Sequence, residues 1–176
     1  MRLLKLTATF ALAAVCVAAT SAAGAARATH SPSATQAEKT YRHEEGGIQF
    51  DLPDGWKAEP DGEMITVSSP DDTFNMLFIV TEGDTLKEAA DALDEELAKV
   101  VKNPKLTGEA EEDTHNGMPH FSQSGEGEVE GVQVELSVDI LVAKKPVLIL
   151  TYAAAGQYEK HVQAAARLIG SIKRMD

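Results

Sequence analysis

Asp113, His115 and His120 flank an Asn116-Gly117 pair, and a hairpin closing there brings two imidazoles and a carboxylate to one end of a ribbon. That donor set suits zinc or copper, which accept nitrogen and oxygen ligands of this kind. No fixed ligand spacing accompanies the three residues, however, and turns are polar for ordinary reasons. An exposed hairpin tip is therefore the expectation, with a metal on Asp113, His115 and His120 as the alternative. Glu109, Glu111 and Asp113 recur at period two on one strand face, with Glu112 on the other. Calcium would be attracted, but no Asp-x-Asp-x-Asp-Gly loop exists, and a solvated strand face is expected.

Glycines at 125, 127 and 131 superficially suggest a phosphate loop. Their spacing is Gly-x-Gly-x-x-x-Gly, a strand follows, and the intervening glutamates repel phosphate. They read better as bulges or close backbone approaches. Ser122 and Ser124 lie in no Gly-x-Ser-x-Gly elbow, so a nucleophilic serine has no support from spacing. His161 falls beside an apolar helical stripe and reads as a boundary residue. Trp56 follows a turn and reads either as a core plug or as an anchor for a partner. No catalytic residue and no cofactor is expected.

The elements that must position these residues are legible from hydrophobic period. Ile48, Phe50 and Leu52 alternate with polar residues, and Pro53-Asp54-Gly55 ends that strand in a turn. A second strand spans 63–68 and a third 74–81, the latter apolar on both faces, as a strand covered on both sides must be. Thr85 with Glu88 three residues on forms a capping box, and Leu86, Ala89, Ala90, Leu93, Leu97, Val100 and Val101 follow at helical spacing. Asn103-Pro104 is expected to stop that helix. A strand over 105–114 then leads through the Asn116-Gly117 hairpin into 118–129. After a Glu130-Gly131 turn, apolar residues alternate from Val132 to Val142, the clearest strand in the chain. Residues 147–153 make a further strand, apolar on both faces, and a closing helix runs from about 156 or 157 to Ile172. Two helices against six to seven mostly antiparallel strands define an α+β layered domain.

The first 28 residues read as a secretory signal peptide. Arg2 and Lys5 give a positive start, Leu6 to Ala19 an apolar stretch, and small residues offer cleavage before Ala26 or before Thr29. A spanning anchor wants about 20 strongly apolar residues, and Ala, Thr, Ser and Gly dominate after Val17, so no stable membrane anchor is expected. Bulky Val15 before Cys16 disfavours lipidation of that residue. Cys16, the single cysteine, leaves with the leader, and the mature chain then has no thiol or disulfide chemistry. Residues 29–39 are polar and aperiodic, a flexible linker, and 40–176 suit one domain with a single core. The chain carries 16 basic against 28 acidic residues, a net charge of −12. Such a balance repels phosphate backbones and anionic headgroups, which excludes nucleic acid as a natural partner.

Four segments together carry a resemblance: Gly47-Ile-Gln-Phe-Asp-Leu-Pro-Asp-Gly-Trp56, the turn Val67-Ser-Ser-Pro70, the helix start Thr85-Leu-Lys-Glu-Ala-Ala90, and the closing Ile169-Gly-Ser-Ile172. They resemble the PsbP-like fold superfamily, the bacterial periplasmic DcrB type most of all, over almost all of 40–176. The resemblance implies an antiparallel sheet sandwiched between helices, and proteins that work by binding. It carries over no catalytic residue. The expectation is an exported, periplasmic or secreted, non-enzymatic binding or accessory protein of the bacterial envelope that contacts another envelope protein. A small-ligand or divalent-metal carrier is the alternative.

Overall fold

The computed structural model describes residues 39–176. The leader at 1–28, with Cys16, and the linker up to residue 38 lie outside the described residues. Lys39, expected as the last linker residue, already opens a strand.

Eight strands form one antiparallel sheet, in the order β3 (Lys57–Asp61), β4 (Met64–Ser68), β5 (Phe74–Val80), β10 (Pro146–Ala154), β9 (Val132–Val142), β8 (Met118–Val129) and β6 (Lys102–Leu106), with β7 (Glu111–His115) also on β8. A second, three-stranded sheet joins β1 (Lys39–His43), β2 (Ile48–Leu52) and β11 (Lys173–Arg174). The helices are α1 (Leu86–Asp91), α2 (Leu93–Ala98) and α3 (Tyr158–Ser171).

Both faces of the large sheet are covered, which explains why β5 and β10 are apolar on both sides. On one face Met76, Phe78, Leu141, Val147 and Ile149 pack against Ala165 and Leu168 of α3 and against Ile48 and Phe50 of the small sheet. Phe50 stacks on Phe78 with ring centroids 4.5 Å apart. On the other face Leu77, Leu136, Val138, Ile140, Leu148 and Leu150 meet Ala89, Leu93 and Leu97 of α1 and α2 and Val101 beyond them. Those four helix-side residues recur every four positions, so one stripe seals that face.

Several expectations are corrected. The single helix predicted from Thr85 is two six-residue helices, broken at Ala92, whose carbonyl accepts from both Glu95 and Glu96. No glycine or proline marks that break, so helical period ran straight through it. The capping box itself is present: Thr85 accepts from the Glu88 backbone, and the Glu88 carboxylate accepts from the backbone of Asp84 and Thr85. The strand predicted over 105–114 is two strands, because Thr107 and Gly108 both turn their N–H groups onto the Ser124 carbonyl and interrupt the ladder. Asn103, expected only to end a helix, has φ +49° within a bulge of β6. Strands β1, β3 and β11 carry too little alternation to have been read.

Candidate functional site

The hairpin at Asn116-Gly117 forms as expected, both residues having positive φ. Antiparallel pairing then sets which side chains share a face. Asp113 lies opposite His120, Ser122 opposite Asp139, and Ser124 opposite Ser137. Alternation along β9 sends Leu136, Val138 and Ile140 to the α1–α2 side and leaves Ser137 and Asp139 on the α3 side. A polar strip thus runs down the face that α3 covers only in part.

His120 is the centre of that strip. Nδ1 lies 2.6 Å from Asp113 Oδ1, and Nε2 lies 3.0 Å from Asp139 Oδ1. Two carboxylates on one imidazole require two N–H donors, which is the imidazolium form. The bond to Asp139 raises the His120 pKa above its ordinary 6.5, Asp113 adds to this, and burial offsets part of the rise. Asp139 is 7% exposed, so its negative charge sits almost entirely out of water and His120 is its partner.

The remaining predicted residues are placed as follows. His115 is not bonded to Asp113 or His120: its ring centroid is 5.7 Å from that of His120 and its Nε2 faces the Asn116 amide at 3.3 Å. Because both His120 nitrogens face carboxylates, neither presents a lone pair to a metal. Among the described residues, no group of three or more His, Cys, Asp or Glu side chains is arranged to hold a metal ion. The Asn116 amide instead donates to Ile172 O at 2.8 Å and to Gly170 O at 3.2 Å, docking the hairpin tip onto the end of α3.

Trp56, read in the sequence as a core plug or a partner anchor, is buried in the core. It is 7% exposed and packs edge-on against Phe74 and His161, with centroids 5.7 and 5.9 Å away. His161 places Nε2 2.9 Å from Asp71 Oδ1. Lys160 bonds the other oxygen of Asp71, and with the Ser69 and Thr73 hydroxyls it holds that carboxyl far below the usual carboxylate range. Buried His43 is likewise occupied, accepting from Gly46 N–H at Nδ1 and facing Glu63 O through Nε2. Gly125 and Gly127 are close approaches, as their pattern suggested. A Cβ on Gly125 would meet the Lys105 carbonyl, and one on Gly127 would meet the Val101 side chain.

What the sequence did not reveal is the cleft beside these residues. The break between β6 and β7 opens a depression of about 400 Å³ against α3, lined by Glu109, Glu111, Ser122, Ser124, Ser137, Asp139 and Ile169, among others. Tyr158 bonds Ser137 through its hydroxyl at 3.1 Å and so fixes α3 over one end. The alternation Ser-x-Ser in β8 opposite Ser137-x-Asp139 in β9 was the available signal, a polar stripe on strands otherwise suited to burial.

No family model and no curated protein matches the chain. Its structure is similar to cyanobacterial PsbP (CyanoP) from Synechocystis, with a TM-score of 0.58 and 13% identity over 77% of this chain and 91% of that one. It is also similar to LpqN of Mycobacterium tuberculosis, a protein involved in cell envelope biogenesis, with a TM-score of 0.55 and 17% identity over 79% of this chain and 91% of that one. A Bacteroides thetaiotaomicron protein, of which the match spans about half (49%), gives 0.52 and 16% identity over 79% of this chain. The domain has the PsbP-like fold. Identities this low speak for the fold alone, and the DcrB subgroup is not singled out. Among the described residues, no helix is long and apolar enough to cross a membrane.

Proposed function

We propose that the chain is an exported, non-enzymatic binding or accessory protein of the bacterial cell envelope, in the manner of DcrB-type proteins, and that it contacts another envelope protein. The observation carrying this reading is the mutual occupation of its titratable side chains. His120 is held between Asp113 and Asp139, His161 is bound to Asp71, and His43 is bonded through both nitrogens. A general base needs a free nitrogen within reach of the proton it takes; His120 and His43 offer none, and His161, engaged at Nε2 by Asp71, has its ring packed against Trp56 and Phe74. Neither the Ser122 nor the Ser124 hydroxyl is hydrogen-bonded to a histidine among the described residues, so no activated nucleophile accompanies them. The signal-like leader, the acidic charge and the envelope role of LpqN support the same reading.

The test is reconstitution with an envelope extract. A stoichiometric partner that co-purifies with the wild-type protein, and is lost when cleft residues are substituted, is the expected result. Turnover of a hydrolytic substrate that disappears with a single Ser or His substitution contradicts it. The second reading, a small-ligand carrier, is favoured by the open cleft, and thermal-shift measurement discriminates it, since a ligand at 100 times its Kd adds about 2.7 kcal/mol.

A further inference from the structure

We infer that the cleft between α3 and the β8–β9 ladder is a binding site for a primary ammonium group carried on an alkyl stem. The inference rests on the binding-protein reading and names what its cleft recognises.

The argument starts from Asp139. The residue is 93% buried by its 7% exposure, yet it lines an open cleft. Its Oδ1 is used by His120, and among the described residues no hydrogen bond reaches Oδ2. That oxygen opens to the cleft, so a donor arriving there finds a carboxylate acceptor that no group of the chain uses. His120 neutralises one of the two carboxylates it touches, so the trio with Asp113 keeps one negative charge, and Glu111 adds a second at the cleft wall. Anions are therefore repelled.

The rest of the lining chooses among cations. An ammonium group has three N–H donors and no acceptor, and needs three acceptors around it. Asp139 and Ser122, directly opposed on the β8–β9 ladder, set a carboxylate and a hydroxyl oxygen side by side on the cleft floor, and the Ser124–Ser137 pair follows next on the same face. A divalent ion needs more anionic oxygens at short range, and no group of three metal-ligating side chains is found among the described residues. Ile169 of α3 forms an apolar wall, which suits methylene groups behind a charged head. Other depressions of similar volume do not share this design: that beside β7, about 410 Å³ and lined by Leu86, Glu112, Asp113 and Pro119, carries no buried carboxylate.

The ammonium group has two natural sources, a free amine and a lysine side chain of a protein. Amide NMR of the purified protein, titrated with 1,4-diaminobutane and separately with Gly-Lys-Gly, tests both. Saturable shifts at Ser122, Ser137 and Ile169 with either probe support the site, and whichever probe binds more tightly identifies the source. Asp139→Asn is expected to weaken binding about tenfold, as loss of a charge-assisted hydrogen bond does. Exposed Glu111→Gln leaves the His120 pair intact and is expected to weaken it about threefold, so the result does not depend on Asp139→Asn folding. No shift with either amine up to about 10 mM overturns the inference, as do equal shifts with calcium chloride or 1-butanol. That failure leaves the binding-protein reading standing, whereas enzymatic turnover overturns that reading without touching amine binding.

Discussion

His120 Nε2 reaches Asp139 Oδ1 at 3.0 Å diagonally across the β8–β9 ladder, two residues along from the position directly opposite each. Through this bond the buried charge of β9 is compensated by β8, and β8 in turn carries the hairpin strand β7 on Asp113.

Stability should therefore respond to pH through His120. Its folded pKa is raised, so its contribution is complete below the ordinary value of 6.5 and is lost as pH rises through the raised value. Neutral imidazole donates to one carboxylate only; the exposed Asp113 is the partner it releases. Urea unfolding midpoints of the wild type are expected to fall with rising pH across that interval, and those of His120→Asn to vary less. Equal slopes for the two would remove His120 from the account.

Asn116 holds the hairpin tip to α3 through the carbonyls of Gly170 and Ile172, in a left-handed conformation with φ +47°. Asn116→Ala loses both bonds and strains the turn, and should cost about 1–3 kcal/mol. Hydrogen exchange should rise first in β7, with the β5 and β10 amides unchanged.

Thr151 is 1% exposed and its hydroxyl has no partner, an uncompensated polar group in the core under α3. Thr151→Val keeps the shape and removes the hydroxyl, so the thermal midpoint is expected to rise by the equivalent of about 1 kcal/mol. A lower midpoint would mean that the hydroxyl is satisfied in solution.

Gly125→Ala drives a methyl group onto the Lys105 backbone carbonyl, which the β6–β8 pairing holds in place. A loss of about 1–3 kcal/mol is expected, with β6 detaching. Gly117→Ala meets no atom and suffers only from its φ of +78°, so its loss should be smaller.

Much of this fold was written in local pattern. The ends of β8 and β9 coincide with the expected ones because Asn116-Gly117 and Glu130-Gly131 fix both turns by chemistry that acts within a few residues. Where tertiary contacts decide, pattern failed: the ladder breaks at Thr107 and Gly108 because one carbonyl of Ser124 captures both N–H groups, and helix pairing tightens at Ala92 with no sequence mark. The site followed the same division. Asp113 and His120 were visible as neighbours of a turn, whereas Asp139, nineteen positions from His120, joined them only through strand register. Trp56 packs against Phe74 and His161, two residues that only the assembled core brings near it.

The central claim, binding through the α3 cleft without catalysis, is tested most directly by photo-crosslinking in intact cells. A photoreactive residue replaces Ser124 on the cleft floor, and in a second strain replaces Lys87, exposed on α1 across the sheet. One dominant adduct from position 124, absent from position 87, is predicted. An adduct from position 87 with none from position 124 would contradict the account.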